Sequence, residues 1–145
     1  MKTLKWFRDP KYPEAVIPGY AHDGDSGFDF VAAEDAMIFP GGRVLVSTGL
    51  KCEIPFGYEI QVRPRSGMAL KHGITVLNTP GTIDSGYRGL IGVILINHSD
   101  APYVINVGDR IAQGIFARVE YCQMSIVYNL DDSDRGPKGF GSSGR

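Results

Sequence analysis

Turn-forming residues interrupt this chain about every eight to twelve residues, and no long stretch between them carries a helical period. A chain punctuated this way has room for short strands and little room for helices. Tyr58, Ile60 and Val62 alternate with Glu59, Gln61 and Arg63, the period of a strand with one wet face. The same reading places strands at 4–7, 25–33, 37–39, 43–47, 51–54, 74–77, 90–96, 103–107, 111–119 and 121–128. A single helical turn is expected over 66–71, stopped by Gly73. The pattern predicts an all-β sandwich or barrel of the jelly-roll kind. Leu90–Ile96 is apolar at nearly every position, so both faces of that strand must be covered, the second by another subunit.

Length and composition set bounds on this. A chain of 145 residues is expected to form one domain that buries roughly two-thirds of its unfolded surface. The 19 glycines, nearly twice the usual share, agree with many turns. A net charge of −1 offers no sequence-wide basic field, so no nucleic-acid partner is expected. Cys52 and Cys122 lie far apart with no metal spacing, and read as two buried thiols in a reducing compartment. Trp6 reads as core packing, and His22, His72 and His98 as solvated. Neither a signal peptide nor a membrane-length apolar run is visible, which predicts a soluble cytoplasmic protein with no membrane partner.

Chemistry concentrates in a few stretches. Asn78–Gly89 holds one Pro, three Gly and one carboxylate between two apolar runs, the pattern of two strands joined by a hairpin. Gly81, Gly86 and Gly89 are free to take positive φ, as a tight turn or a close ligand would demand. Asp84, the Tyr87 ring and bare backbone together suit a pocket for a planar ligand; an ordinary hairpin with turn-forming Asp and Gly is the plain alternative. Arg63-Pro64-Arg65-Ser66-Gly67 puts guanidinium, hydroxyl and helix-start amides where an anion could sit, or else forms a basic turn with a Ser cap. Gln113 falls on the strand side of Ile111 and Ile115, where a polar group needs a partner or a pocket. No Gly-x-x-x-x-Gly-Lys-Ser/Thr loop occurs. The last fifteen residues, 131–145, have one bulky apolar side chain, Phe140, and cannot bury themselves. They read as a flexible flap beyond a β domain over 1–130, ordering on a phosphate and a stackable ring.

Five stretches in this order closely resemble the homotrimeric dUTP pyrophosphatase (dUTPase) family. They are Asp25–Ala33 with Gly27-x-Asp29, Pro64–Gly67, Asn78–Gly89, Gly108–Gln113 and Arg135–Gly144. The resemblance implies a distorted jelly roll, a homotrimer with sites shared between subunits, and a tail closing over each site. It implies hydrolysis of dUTP to dUMP and diphosphate by water attack on the α-phosphorus. That reaction limits uracil in DNA and supplies dUMP for dTMP synthesis. The cofactor implied is Mg²⁺ carried by the triphosphate, with no direct protein ligand.

The resemblance also implies roles. Asp84 would be the general base. Asn78 and the backbone of Gly81, Thr82, Ile83 and Asp84 would read the uracil edge, and Tyr87 would lie under the deoxyribose. Arg65, Ser66, Gly67 and Gln113 would hold the phosphates, with Arg135, Ser142 and Ser143 meeting the outer ones. Phe140, within the closing Phe140-Gly141-Ser142-Ser143 run, would stack on the uracil. Asp29 would give support from behind, near the metal's waters or an Arg. Phe28 and Phe30 (conservative swaps in a packed strand), Leu90 and Pro137-Lys138 depart from the family pattern, and the last of these bears on the tail's path. A dCTP deaminase on the same fold is the competing reading, but no Glu lies between Leu90 and Ile96, where such enzymes need one. A catalytically inactive regulatory relative is the other; retention of Asp84, Gln113 and the tail speaks against it.

Overall fold

Alternating side chains build most of the strands where they are expected. The computed structural model describes residues 2–139. In chain order the strands are β1 (Lys5–Arg8), β2 (Gly27–Val31), β3 (Ala36–Ile38), β4 (Arg43–Ser47), β5 (Leu50–Glu53) and β6 (Tyr58–Arg63). The helix α1 (Ser66–His72) follows, then β7 (Ile74–Val76), β8 (Gly81–Ile83), β9 (Gly92–Asn97), β10 (Tyr103–Ile105) and β11 (Arg110–Arg118). Gly73 ends α1 in the left-handed region at φ 65°, donating back to Ala69 and Met68, the Gly stop expected of such a helix.

The strands pair antiparallel throughout. The main sheet runs β2–β11–β6–β8, facing a three-stranded sheet β4–β9–β7, with β1–β5 and β3–β10 as two-stranded ribbons. This is a sandwich of open sheets rather than a closed barrel. One apolar cluster lies between the layers, centred on Phe30, Ile60, Leu95, Ile105 and Ile111. Asn97 is buried inside it and fully engaged: its amide donates to the Ile38 and Ala101 carbonyls, and its oxygen accepts from Ser99.

On β9, Val93 and Leu95 point into the core while Ile94 and Ile96 are half-buried on the opposite face. Leu45 pairs with Ile94 and is 63% exposed. The second apolar face inferred for this strand therefore exists, and the described residues cover it only in part.

Three expectations need correcting. Residues 121–128 form no strand: Tyr121, Met124, Ile126 and Tyr128 are exposed, because no strand edge among the described residues receives them. Cys122 belongs to that segment and is exposed, whereas Cys52 is buried as expected. The gap between β7 and β9 is more than a turn. β7 and β9 do pair as a hairpin, but between them the chain crosses to the main sheet and adds β8 beside β6. Among the described residues no helix is long and apolar enough to cross a membrane.

Gly114 on β11 faces Phe28 and Phe30, whose rings meet edge-on with centroids 5.5 Å apart. A Cβ there would overlap the Phe28 ring and come within 2.9 Å of Phe30. Gly114→Ala is expected to cost ~1–3 kcal/mol through overpacking, seen as a lower urea midpoint; an unchanged midpoint would mean the rings have slack. Burial pushes the Cys52 thiol up to about 11 from 9.0. The native chain keeps that proton where the unfolded chain has lost it, so stability falls as pH rises from 9.0 towards 11. Cys52→Ala should flatten this slope in urea titrations across that window.

Candidate active site

The first cluster sits where β8 runs out. β8 pairs with β6 on one side and is the edge of the main sheet on the other, so backbone groups of Gly81–Ile83 remain open to a ligand. Gly81 is buried, and a Cβ there would come within 3.3 Å of both the Asn78 amide and Val62. Asn78 thus lies against the backbone of the edge it is expected to help read, with a cis Thr79–Pro80 bond between it and Gly81. Beyond β8, the Tyr87 N–H donates to the Asp84 carbonyl at 3.0 Å and closes a turn. A cavity of about 150 Å³ opens there, lined by Thr82, Ile83, Asp84, Tyr87, Ile91 and Gly92. Asp84 and Tyr87 thus line one small space.

The glycines do this differently from expectation. Gly81, Gly86 and Gly89 are not among the positive-φ glycines. Gly81 is an extended strand residue where a Cβ would be a tight fit, 3.3 Å from Asn78 and Val62, and a Cβ on Gly89 would overlap the Tyr87 hydroxyl and ring. Close approach, not handedness, is what these two supply. Gly86 meets neither demand.

The second cluster gathers on the outer face of the same sheet. Alternation along β2 buries Phe28 and Phe30 and turns Asp29 outward. Its two oxygens face two guanidiniums, Arg65 Nε at 3.1 Å and Arg110 Nη1 at 3.5 Å. Arg65 also donates to the Arg110 carbonyl at 2.9 Å. Arg65 is the N-cap residue of α1 with extended backbone, so Ser66 and Gly67 form the first turn and Ser66 does not cap it. A Cβ on Gly67 would meet open space.

Gln113 opposes Asp29 across the β11–β2 pair, and its amide donates to the Pro64 carbonyl at 2.9 Å. Here the strand reading is corrected. A register shift between Arg110 and Ala112 buries Ile111 and Ala112 in succession, so Gln113 and Ile115 share the half-exposed face without Ile111. Gly27 lets Gln113 settle: a Cβ there would meet its Oε1 at 2.7 Å. Gln113, Asp29, Asp25 and Ser26 line a polar hollow of about 310 Å³.

Arg110, Gly27 and Arg88, which donates to the Ser85 and Tyr87 carbonyls, received no site role from sequence. Among the described residues the two clusters line separate hollows. Arg135 is exposed, with its Nε donating to the Lys138 carbonyl at 3.0 Å. Phe140, Gly141, Ser142 and Ser143 lie outside the described residues. Among the described residues no group of three or more His, Cys, Asp or Glu could hold a metal ion.

A β-sandwich with a carboxylate-and-ring turn and a separate guanidinium cradle has the parts of a protein that acts on a phosphorylated ring compound. Comparison with known proteins narrows that class. The dUTPase family profile matches residues 13–144. A deoxyuridine 5′-triphosphate nucleotidohydrolase of Wolinella succinogenes is 55% identical over 134 residues, 92% of this chain and 90% of that one. One from a Picosynechococcus species is 53% identical over 133 residues, 92% and 94% of the two chains. A Staphylococcus bacteriophage 80alpha dUTPase, solved with dUpNHpp, superposes with a TM-score of 0.89 at 29% identity, covering all of both chains. A dUTPase mutant of phage phi11 of S. aureus, described with a structural Mg(II) ion, gives 0.81 at 25% identity, covering 90% of this chain and 100% of that one. The chain belongs to the dUTPase family.

Asp29 is 31% exposed, Arg65 30% and Arg110 59%, and such partly solvated pairs contribute ~0–1 kcal/mol. Asp29→Asn is therefore expected to leave the denaturation midpoint almost unchanged while it weakens binding of a nucleoside triphosphate analogue by calorimetry. A large loss of stability with intact binding would instead make Asp29 a fold residue.

Proposed function

We propose that this chain is a dUTP diphosphatase that hydrolyses dUTP to dUMP and diphosphate by water attack on the α-phosphorus. The observation that carries the proposal is the cavity at the end of β8, where Asp84 and Tyr87 face one space beside an unpaired strand edge. A strand edge recognises a planar ring by its hydrogen-bonding pattern, and a base with the wrong pattern leaves buried polar groups unpaired. Asn78 and the backbone from Gly81 to Asp84 read the uracil in this way. Tyr87 supports the deoxyribose, where a 2′-hydroxyl would collide with the ring. Asp84 orients a water and takes its proton as the water attacks phosphorus.

The phosphates belong to the second cluster. Arg65, Ser66, Gly67 and Gln113 hold the chain of oxygens, and charge developing in the transition state is met by groups already in place. Asp29 supports Arg65 from behind and shares that task with Arg110. The donor set fits Mg²⁺ held through the triphosphate, because the carboxylate oxygens of Asp29 already face guanidiniums and Asp84 stands apart from them. Bound that way, the cation would neutralise phosphate charge.

Assembly follows from the separation of the two clusters. One site needs both, and one chain offers them in different hollows, so the site forms between copies in a homotrimer. The partly covered Leu45–Ile94 face and the exposed apolar segment at 121–130 supply surface for that association. The β domain ends near residue 130, and 131–145 closes over the site of a neighbour. Arg135, Ser142 and Ser143 then reach the outer phosphates, and Phe140 stacks on the uracil for ~1–3 kcal/mol.

Asp84→Asn should retain dUTP binding and lower kcat by at least ~10²-fold; near-normal turnover removes Asp84 from the mechanism. A substrate panel should show diphosphate release from dUTP, little from dCTP, dTTP or UTP, and loss with a chelator. Truncation before Arg135 is expected to leave a trimer by light scattering with little activity, and an aggregated monomer would make the tail structural.

A further inference from the structure

The turn that carries Asp84 and Tyr87 is exposed, and its middle residue, Gly86, has nothing within 4 Å of where a Cβ would stand. A glycine with no neighbours is the loosest point such a turn could have. Yet the groups on either side of it must hold a fixed relation if a base and a sugar platform are to serve one nucleotide. Arg88 spans that gap. Its Nη1 donates to the Ser85 carbonyl at 2.7 Å and the Tyr87 carbonyl at 2.8 Å, one on each side of Gly86. A single guanidinium nitrogen thus draws the two carbonyls together from behind.

The ring of Tyr87 is set from the other direction. Its hydroxyl donates to the Leu90 carbonyl at 3.0 Å, and the ring folds over Gly89, where any Cβ would overlap it. Arg88 lies between these two constraints. Behind it, Arg88 lines a hollow of about 230 Å³ with Lys5, Trp6, Cys52 and Glu53. The clamp is therefore backed by the β1–β5 ribbon rather than by solvent alone.

We infer that Arg88 is a positioning residue: it clamps the turn across Gly86 so that the Asp84 carboxylate and the Tyr87 ring address the same nucleotide. The inference rests on the proposed dUTP activity and extends it to a residue that touches no substrate. A clamp of this kind acts on geometry, so its loss should show in turnover and in sugar discrimination together. Weaker folding alone would lower the active fraction and leave the preference for dUTP over UTP untouched.

The test compares the full-length wild type with Arg88→Ala and Arg88→Lys, using dUTP and UTP as substrates. Arg88→Ala should keep its oligomeric state, lose kcat on dUTP by ~10–100-fold and narrow the dUTP/UTP ratio of kcat/KM by at least ~10-fold. Arg88→Lys, still a donor to carbonyls, should recover much of both, and added guanidinium should partly restore Arg88→Ala. If Arg88→Ala misfolds, Arg88→Gln, a weaker neutral donor, is measured in its place and should fall between wild type and total loss. A folded variant with the wild-type ratio and kcat overturns the clamp. A wild type that does not hydrolyse dUTP overturns the activity on which the clamp rests, a distinct result.

Discussion

Three residue pairs between β6 and β8, Ile60 with Ile83, Gln61 with Thr82 and Val62 with Gly81, tie the reactive turn to the core. Ile60 and Ile83 are buried, and Val62 packs closely enough that a Cβ on Gly81 would stand only 3.3 Å from it. With those contacts made, the chain must leave the β7–β9 sheet, cross to the main sheet, and return. The carboxylate-bearing turn lies on that return path. Its position is thereby set by packing in both layers, and a rigid base supports a catalytic group better than a free loop does.

β11 organises the other half. It pairs with β2 and β6 and so brings Asp29, Arg63 and Gln113 into adjacent register. The register shift near its start turns Gln113 outward while Ile111 and Ala112 stay buried. Without that irregularity, strict alternation from Ile111 would send Gln113 into the apolar layer, where an amide without partners is costly. One extra residue in a strand therefore separates a buried misfit from a usable polar group.

Most of the fold was legible because the relevant signals are local. The β6 alternation, the Gly73 stop and the turn before β4 each depend on a few neighbouring residues. Residues 121–128 looked like a strand for equally local reasons, but a strand also needs an edge to pair with, and only tertiary structure shows that none among the described residues receives this segment. β8 was hidden for the opposite reason, being three residues long with a glycine first. The site divides along the same line. Asp84 and Tyr87 were visible as neighbours in one turn, whereas the link from Asp29 to Arg110 joins residues far apart in sequence and appears only once β2 and β11 are in register.

The glycines make the same point in finer detail. Three of them in one stretch suggested backbone handedness, yet two serve by leaving space, Gly81 for Val62 and Asn78 and Gly89 for Tyr87. Space is a property of neighbours and cannot be read from the glycine itself. This bears on how a small sandwich selects a ligand. Edge backbone needs close approach to a base, and a ring platform needs to lie flat on its support. Both requirements are met by removing side chains rather than adding them. Asp84 stands in the chain between these two cleared positions, so the backbone that carries it is placed by close packing on both sides, which is the support the proposed hydrolysis asks of it.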